Sequence, residues 1–579
     1  MNFLRKICYF ILCSQIFAGH PITIDGQFHD WDEVPIIFQD AEGDGDDADF
    51  AEVKITYDNE FLFFYFNFFD GEYLMQDWND FKIYIDSDND IATGLTFEGI
   101  GAELEWTFGQ RSGTQHINSE EIEVGQNDLT LRIGPTITST EFEIAIARDS
   151  DILTINGSNT VINGKVILLD DNGDMVPNES GGISFSIGED YIQEPNPISL
   201  DRTDISDIRI ISYNTKGEGM IDPEREPYFR RLMQALEPDV IAIQEHFDWN
   251  EIDDIVQSWF PQEQWYASWT YRDLVVLSRF PILNDANMIS SERTMVALLD
   301  TYSELGVPLL LFNSHLSCCS NNESRQQQVD EFISVWRDWV LTGEGPFDLD
   351  PETPFIHVGD FNFVGYKQQV ETLRIGDIEN ESEYGNDFLP DWDSSPLIDL
   401  FPRHTHKRMG YTWRKDWSSY NPGKLDYVFY SDYLIEPGKY FIVNTLAMDA
   451  GALNAYGLEL EDTQEASDHL PIVFDIAGIL SNSSIDAETN FPIDFATINN
   501  YPNPFNSATT IRIQLQNNFQ ISLFIFDIEG SLVDEIFIGE LYEGTHEFYW
   551  DGTRFSSGIY FVKLHYGSSV KTDKILLLK

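Results

Sequence analysis

The spacing of apolar residues changes twice along this chain, and those two changes limit what it can fold into. From about residue 20 to 195, apolar and polar residues alternate. From about Ile208 to Ile476, strand-like runs are separated by stretches with helical spacing, and from Tyr501 the alternation returns. One layered architecture does not produce both patterns. The 579 residues therefore predict a multidomain protein with a central α/β domain between two β-rich ones.

The first region, residues 20–195, is predicted to be a β-sandwich. Segments such as Glu60–Phe69 and Phe81–Ile85 are rich in aromatic residues, turn residues recur between such segments, and no helical period appears. Short strands separated by turns are typical of sandwiches. The final region, residues 501–579, has the same character and is predicted to be a second, smaller sandwich.

The central region is predicted to be a layered α/β domain spanning residues 206–478. Its strand-like runs are Ile208–Tyr213, Val240–Ile243, Leu274–Leu277, Pro308–Phe312, Phe355–Val358 and Tyr427–Tyr430. Two helix faces are predicted from the spacing, one with Phe229, Leu232, Met233 and Leu236, the other with Val329, Phe332, Ile333, Trp336 and Val340. Polar stretches at 194–206 and 479–500 are predicted to be linkers.

Residues 1–19 have the features of a secretory signal. Arg5 and Lys6 precede the apolar stretch Ile7–Phe17, and Ala18 or Gly19 offers a small-residue cleavage point. The alternatives are a membrane anchor, for which the apolar run is too short, and lipid attachment at Cys13. No later stretch approaches 18 unbroken apolar residues, so the mature chain is predicted not to be an integral membrane protein.

Two cysteines remain after such a signal is removed, the adjacent pair Cys318 and Cys319. Neighbouring cysteines rarely bridge each other because the ring is strained, so no disulfide framework is predicted. A redox or metal role for the pair stays open, but two small packed residues are the favoured interpretation.

The charge of the chain is strongly negative, with 34 basic and 99 acidic residues and a formal net charge of −65. This balance excludes nucleic-acid binding by a broad basic surface. A polyanionic substrate would need a local counter-charge, most simply a divalent cation. The cations of the central region concentrate in its later part and predict a groove that favours a polyanion; they are Lys367, Arg403, Lys407, Arg408, Arg414, Lys415 and Lys424.

Polar residues of a particular kind stand where the predicted central strands end. They are Asn214, Glu245, His315, Asp360, Asn362, Asp426, Asp468 and His469. In layered α/β folds, strand ends and their loops are where ligands bind. This set supplies oxygen ligands for a hard cation, two imidazoles for proton transfer and amides for a phosphoryl oxygen.

The segments that carry these residues also resemble a known family. In chain order they are Ser212-Tyr213-Asn214, Gln244-Glu245, Asn313-Ser314-His315-Leu316, Gly359-Asp360-Phe361-Asn362, Leu425-Asp426-Tyr427 and Ser467-Asp468-His469. The series is similar to the motifs of the endonuclease/exonuclease/phosphatase superfamily, the deoxyribonuclease-I-like fold. The resemblance implies a four-layer α/β sandwich with two facing sheets.

The same resemblance implies metal-dependent hydrolysis of phosphoric esters. It makes Glu245 the principal ligand of Mg²⁺ or Mn²⁺, with Asn214 and Asp468 close by. It places His469 at the scissile phosphate, oriented by Asp426. It also implies that His315 is the general acid for the leaving oxygen, that Asp360 positions or deprotonates the attacking water, and that Asn362 donates to a phosphoryl oxygen.

The substrate stays open at this stage. A phosphodiester of DNA or RNA is preferred, and a sphingomyelinase-like or other lipid or inositol phosphoesterase is the alternative. A non-catalytic binding protein on a hydrolase scaffold is the rival from another class, although two intact Asp–His partnerships argue against it.

Other polar residues of the central region are predicted to be structural. His357 lies inside an apolar strand, and His404 and His406 lie on a basic polar loop that is expected to be solvated. Arg325 either pairs locally or faces the phosphate.

The first region contains a candidate calcium loop, Asp86–Asp90, with alternate oxygen side chains. A second acidic run, Gly43–Asp49, is expected to be a solvated turn. Together with Ile24-Asp25-Gly26, Trp31-Asp32 and Gly101-Ala102-Glu103, the first loop resembles the family 9 carbohydrate-binding modules. This resemblance implies a sandwich that binds sugar; a plain spacer is equally compatible.

The last region resembles the type A C-terminal sorting domain of type IX secretion, and also the immunoglobulin-like domain of the flagellar hook-capping protein. The matching segments are Tyr501–Asn506, Trp550-Asp551-Gly552, Ser557–Tyr560 and Lys574–Lys579. The resemblance implies secretion or cell-surface display across the outer membrane of a Gram-negative bacterium, contact with the secretion machinery, and removal of the tail. An ordinary adhesive sandwich is the alternative.

Overall fold

A computed structural model describes residues 19–579 except 46–47, 118–119, 154–161, 171–172, 189–191, 248–250, 271, 480–495, 502, 504, 516–518, 527–531, 543 and 567–568. The apolar stretch of the predicted signal and most of the predicted linker 479–500 lie outside the described residues. The chain forms two compact units, residues 1–482 and 483–579. Among the described helices, none combines the length and the apolar character needed to cross a bilayer.

The described residues of the first region form fourteen strands. They are β1 (Ile36–Gln39), β2 (Phe50–Tyr57), β3 (Phe61–Phe68), β4 (Lys82–Asp86), β5 (Leu95–Phe97), β6 (Ile100–Ala102), β7 (Leu104–Thr107), β8 (Ser112–Ile117), β9 (Glu120–Val124), β10 (Arg132–Gly134), β11 (Glu141–Ala147), β12 (Ile162–Leu169), β13 (Met175–Val176) and β14 (Ile183–Ile187). One sheet has the order β1-β2-β3-β11-β10, and a second has the order β13-β12-β4-β7-β8-β9 with β14 beside β12. A core rich in aromatic residues lies between the two sheets.

The unbroken apolar run of β3 has a structural reason. Leu62, Phe64 and Phe66 point into the core between the sheets. Phe61 and Tyr65, on the opposite face of the strand, belong to the cluster that also contains the inner residues of the central domain. Strands that are buried on both faces read as continuous apolar runs rather than alternating ones. The outer face of this sheet is therefore covered within the same compact unit.

The central domain alternates strands and helices. Its strands are β15 (Ile208–Asn214), β16 (Val240–Gln244), β17 (Tyr266–Trp269), β18 (Val275–Ser278), β19 (Ile282–Asn287), β20 (Thr294–Leu299), β21 (Leu309–His315), β22 (Phe355–Asp360), β23 (Ile398–Asp399), β24 (Asp426–Tyr430), β25 (Ile435–Ile442) and β26 (Ile472–Ile479). Its helices are α1 (Glu226–Leu236), α2 (Ile252–Trp259), α3 (Tyr302–Leu305), α4 (Asn322–Thr342), α5 (Gln368–Ile375), α6 (Glu381–Tyr384), α7 (Ala450–Tyr456) and α8 (Asp462–Ala466).

Two six-stranded sheets form the frame of this domain, with the orders β17-β18-β16-β15-β26-β25 and β19-β20-β21-β22-β24-β23. Their inner faces share one core, to which Ile210, Ala242, Leu311 and Val358 contribute. The outer face of the first sheet packs against α1, α2 and α7, and that of the second against α4 and α5.

The helices bury the faces that their spacing predicts. In α1 the buried residues are Phe229, Leu232, Met233 and Leu236. In α4, Val329, Phe332, Ile333 and Trp336 are buried and Val340 is partly buried. Aromatic packing reinforces the second face, because the Phe312 ring of β21 contacts the Phe332 ring edge-on at 5.2 Å between centroids.

The strand pairing brings several chain segments to one end of the two sheets. β15 and β16 are parallel and end together with Asn214 opposite Gln244. β21 and β22 are parallel and end with His315 opposite Asp360. β24 is antiparallel to β22, so its first residue, Asp426, also lies opposite Asp360. Parallel strands end at the same edge of a sheet, so this edge collects the polar strand-end residues.

Residues of the first region form hydrogen bonds with the loops that lead to this edge. The backbone nitrogen of Ile24 donates to the Arg408 carbonyl at 3.1 Å, and the Gly410 nitrogen donates back to Ile24 at 2.8 Å. The Thr136 hydroxyl donates to the Lys424 carbonyl at 3.1 Å, two residues before Asp426. The predicted linker 194–206 is also held, because Leu200 is buried.

The second compact unit is a small two-sheet β structure. Its strands are β27 (Ala496–Tyr501), β28 (Ala508–Leu515), β29 (Phe519–Phe526), β30 (Leu532–Leu541), β31 (Gly544–Asp551), β32 (Gly558–Tyr566) and β33 (Ser569–Leu577). The sheets have the orders β27-β28-β31 and β30-β29-β32-β33. Alternate residues such as Ile511, Ile513, Leu523 and Ile525 form the core.

Candidate active site

Two histidine–aspartate pairs lie at the shared end of the central sheets. His469 Nδ1 is 2.8 Å from Asp426 Oδ2, and His315 Nδ1 is 2.7 Å from Asp273 Oδ2. All four side chains are almost fully buried. A carboxylate on one ring nitrogen fixes the orientation of the imidazole and leaves the other nitrogen free to act.

The second nitrogens of both rings face the same carboxylate. His469 Nε2 is 3.7 Å and His315 Nε2 is 3.8 Å from Asp360 Oδ2. The Asn214 amide donates to that oxygen at 2.9 Å and to Glu245 Oε1 at 3.0 Å. Asp360 and Asn214 therefore join Glu245, His315 and His469 into one contiguous cluster.

Burial and charge act in opposite directions on the two imidazoles. Burial lowers the pKa of His469, but the charges of Asp426 and Asp360 outweigh it and raise that pKa to about 10. Burial also lowers the pKa of His315, while its bond to Asp273 and the charges of Asp360 and Glu245 raise it above its ordinary value. Burial raises the pKa of Asp360, opposed by the two histidines and Asn214. The neighbouring carboxylates thus stabilise the imidazolium form of both rings against the effect of burial.

Local backbone geometry positions the acidic residues. Gly359 has φ +144°, and a Cβ there would lie 2.0 Å from the Ser314 carbonyl oxygen, so only glycine fits beside β21. Glu245 and Asn362 follow their strands with φ of +60° and +53°, which a non-glycine residue rarely adopts. These backbone conformations turn the chain after β16 and β22 away from the direction of the strands.

The donors in this cluster suit a hard divalent cation. One atom each of Glu245, His315 and Asp360 lies within 4.8 Å of the others, and the same holds for Asp360, Asp426 and His469. The Glu245 side chain is 34% exposed and the Asp360 side chain is 1% exposed, so Glu245 is accessible to solvent and Asp360 is not. Carboxylate oxygens of this kind are typical ligands of Mg²⁺ and Mn²⁺.

The remaining two predicted site residues lie beside the cluster rather than inside it. Asn362 is attached through its backbone nitrogen, which donates to Asp360 Oδ1 at 3.0 Å, and its amide donates to the Leu316 carbonyl at 3.2 Å. Asp468 pairs with Lys216 at 3.4 Å. Its neighbour Ser467 donates to the Asn214 carbonyl at 2.8 Å, which keeps this turn against β15.

Asp273 is a functional candidate that the sequence pattern did not single out. It stands two residues before β18, 42 residues from His315 in sequence, and is 3% exposed. The available signal was an acidic residue directly before an apolar strand. Its pairing with His315 depends on the packing of the two sheets, which no local pattern contains.

Three predictions about neighbouring residues have different outcomes. His357 is structural as predicted, since its Nε2 bonds Ser314 Oγ at 2.7 Å and full burial lowers its pKa to about 3. The expectation that His404 is solvated was wrong, because the ring is fully buried and bonds the Tyr411 carbonyl. His406 is half-buried. Arg325 pairs locally, with carbonyls of Ser317 and Cys319.

Cys318 and Cys319 are free and exposed, with sulfur atoms 2.8 Å apart. The expectation of two packed residues was wrong, because both side chains lie on the surface after β21.

Of the cations predicted to line a groove, Arg414 and Lys415 border one small cleft with Lys216, while most of the seven have partners within the protein. Lys424 is buried and pairs with Asp399, Arg414 pairs with Asp416, and Lys407 pairs with Glu60 of the first region. Arg403 and Arg408 donate to backbone carbonyls of residues 196 and 193. Most of these cations therefore make contacts within the protein. The positive charge needed to bind a polyanion must come from the site itself.

The predicted calcium loop of the first region brings three carboxylates together. One oxygen each of Asp86, Asp88 and Glu103 lies within 4.8 Å of the others. Glu103 is 3% exposed, and burial raises its pKa to about 7. The identity of a cation here stays a prediction.

Two family models match the chain. Residues 211–469 match the Endonuclease/Exonuclease/phosphatase family, and residues 499–578 match the Secretion system C-terminal sorting domain. The central domain is therefore an enzyme that hydrolyses phosphoric esters. Residues 211–469 thus carry an Endonuclease/Exonuclease/phosphatase domain, and the chain also carries a type IX sorting domain that directs it to secretion or the cell surface. The likeness of residues 20–195 to carbohydrate-binding modules stays a prediction.

Solved structures of nucleases and phosphatases are similar to the central domain. TDP2 of D. rerio, complexed with single-strand DNA product, is 16% identical with a TM-score of 0.30, covering 47% of this chain and 99% of that one. An AP endonuclease from Archaeoglobus fulgidus is 11% identical (TM-score 0.28; 47% and 99% covered). The 3'-5' exonuclease NExo from Neisseria meningitidis is 14% identical (TM-score 0.28; 46% and 99% covered). No curated protein matches the chain.

Proposed function

We propose that the central domain is an exported, divalent-metal-dependent phosphodiesterase that cleaves nucleic acid on a four-layer α/β sandwich. The observation that carries this proposal is the convergence of two carboxylate-held imidazoles on Asp360 beside Glu245. In-line hydrolysis of a diester can use one imidazole to bind the phosphate and a second to protonate the leaving oxygen.

Each residue of the cluster has a role under this proposal. Glu245, with Asn214 and Asp468 near it, would hold a divalent cation, which would supply positive charge to offset the phosphate and the oxygens of the displacement. His469, held by Asp426, binds the scissile phosphate as imidazolium. His315, held by Asp273, gives its Nε2 proton to the leaving oxygen. Asp360 orients the attacking water and Asn362 donates to a phosphoryl oxygen.

The preference for nucleic acid follows from the family match and from the export of the chain. A lipid phosphodiesterase is a second candidate, and a separate observation supports it. Trp417 is 76% exposed and Tyr420 is 43% exposed on the loop between Trp413 and Gly423, which pair as an isolated β-bridge. Trp417 shares a small cleft with Lys216 and Asp468. An exposed indole beside the site stacks on a nucleobase or enters a lipid interface equally well, so a lipid phosphodiesterase is the alternative.

A side-by-side substrate test separates these functions. Purified protein is incubated with plasmid DNA, RNA, sphingomyelin and an inositol phosphate, in Mg²⁺ and in excess EDTA. Nucleic acid is expected to be cleaved in Mg²⁺ only. Cleavage in EDTA would contradict the metal mechanism, turnover of sphingomyelin alone would select the lipid enzyme, and binding of any of them without turnover would indicate a non-catalytic scaffold.

A prediction concerns Asp273. The Asp273→Asn variant is expected to lose about 10–100-fold in kcat with little change in KM, because the carboxylate orients His315 rather than touching substrate. Asp273 raises the pKa of His315, so the limb of the pH–rate profile that reports this histidine should move to lower pH. Asp285→Asn, on the exposed edge strand β19, is the matched control. An unchanged pH profile in the Asp273 variant would contradict the assignment.

Sugar binding by residues 20–195 is a separate proposal with one supporting feature, the 65% exposed indole of Trp78. A glycan array probed with the full chain and with Trp78→Ala tests it. Hits that disappear in the variant support a carbohydrate-binding module, and an array without hits indicates a spacer.

A further inference from the structure

Three carboxylates from separate segments of the first region meet away from the candidate active site. Asp40 directly follows β1, Asp44 lies in the loop before β2, and Asp174 directly precedes β13. One oxygen from each side chain lies within 4.8 Å of the other two. The cluster therefore joins the edge of one sheet of the sandwich to the edge of the other.

Two oxygens of this cluster are buried without a hydrogen-bond donor. Asp40 Oδ1 accepts from the Ala41 nitrogen at 2.9 Å and the Asn178 amide at 2.8 Å, and Asp174 Oδ2 accepts from the Phe50 nitrogen at 2.9 Å. Their second oxygens, Asp40 Oδ2 and Asp174 Oδ1, have no partner and no contact with solvent. The two residues are only 9% and 5% exposed. A buried carboxylate oxygen left in this state is costly unless a cation binds it.

The charges around the cluster also favour a bound cation. Among the described residues, no Lys, Arg or His side chain forms an ion pair with Asp40, Asp44 or Asp174. The charged groups that face Asp174 are acidic: Asp40, Asp44 and Asp170. The buried carboxylates of Asp40 and Asp174 therefore lie together without a positively charged partner from the described residues.

We propose that Asp40, Asp44 and Asp174 form a Ca²⁺ site that ties the β1–β2 loop to the β12–β13 hairpin. The donors are oxygens only, with no His or Cys in the cluster, which favours a hard cation over zinc. The ligands come from a loop and a hairpin rather than from a rigid octahedral cage, which suits Ca²⁺ better than Mg²⁺. Export places the protein where Ca²⁺ sites of modest affinity are filled.

This site is distinct from the loop that the sequence predicted. Asp86, Asp88 and Glu103 belong to β4, its following turn and the residue before β7, whereas Asp40, Asp44 and Asp174 come from β1, its loop and the β12–β13 turn. The sequence pattern marked Gly43–Asp49 as a solvated turn, because Asp40 and Asp174 are too far apart in sequence to suggest a common ligand.

The test compares Asp44→Ala with Glu42→Ala in the full-length protein. Both residues are exposed in the same loop, so each change removes one negative charge at little risk to the fold. Equilibrium dialysis against Ca²⁺ is expected to give one ion fewer per chain for Asp44→Ala and the wild-type count for Glu42→Ala. Ions at the active site or at Asp86 are common to both variants and cancel in the comparison.

Hydrogen exchange of the backbone amides tests where the Ca²⁺ ion that Asp44→Ala loses is bound. Peptides covering residues 36–50 and 170–178 of the wild type should exchange roughly 10- to 100-fold more slowly when Ca²⁺ is about 10 to 100 times its Kd. This protection should vanish in Asp44→Ala and in Asp174→Asn and persist in Glu42→Ala. A wild-type ion count in Asp44→Ala, absence of protection in the wild type, or equal protection by Mg²⁺ would each overturn the proposal.

Discussion

The Glu245→Gln variant is expected to lose at least about 10³-fold in kcat/KM for the cleaved nucleic acid at fixed Mg²⁺. Glutamine keeps the size of the side chain and the acceptor for the Asn214 amide, so the fold is preserved. The change removes the partly exposed negative charge that would hold the cation, and cation stabilisation of phosphoryl transfer contributes several kcal/mol.

Two further measurements sharpen this prediction. Raising the Mg²⁺ concentration should recover part of the rate of Glu245→Gln, because a weakened metal site fills by mass action. Glu224→Gln, an exposed glutamate just before α1, should behave as the wild type. Full activity of Glu245→Gln, with a wild-type dependence on Mg²⁺, would contradict the assignment of Glu245 as a ligand.

The His469→Ala variant should have the second large effect, a loss of about 10²- to 10⁴-fold in kcat. Under the proposed mechanism the His469 ring would contribute positive charge toward the phosphate; its Nε2 lies 3.7 Å from Asp360. The circular dichroism spectrum should not change, since the ring lies at the end of the sheet rather than in the core between the sheets.

A double-mutant comparison distinguishes this role from a structural one. Asp426 acts through His469, which it contacts at 2.8 Å. Asp426→Asn alone should therefore lower kcat, whereas adding Asp426→Asn to His469→Ala should cause little further loss. Losses that multiply in the double variant would show that the two residues act separately and would contradict the proposed pairing.

Much of the central domain follows from local pattern. Periodicity predicts the buried faces of α1 and α4 and the strands that end at Asn214, His315 and Asp360, because these features depend on residues close in sequence. Parallel pairing then explains why those strand ends meet at one edge.

Features that depend on contacts between distant segments were missed. Asp273 meets His315 only because the two sheets pack face to face, and Asp174 meets Asp40 only because the two sheets of the first region do the same. His404 looks solvated in sequence, yet the loop around it is covered when Ile24 pairs with residues 408 and 410. The number of cations in a segment does not show which of them are paired, because partners such as Lys407 and Glu60 lie far apart in sequence.

Anomalous diffraction from crystals soaked in Mn²⁺ would show whether these segments build a cation site. A peak is expected about 2.1 Å from a carboxylate oxygen of Glu245, on the side facing Asp360, and it should be absent in Glu245→Gln crystals. A well-ordered wild-type site without a peak near Glu245, in crystals whose protein remains active, would contradict the proposed metal-dependent mechanism.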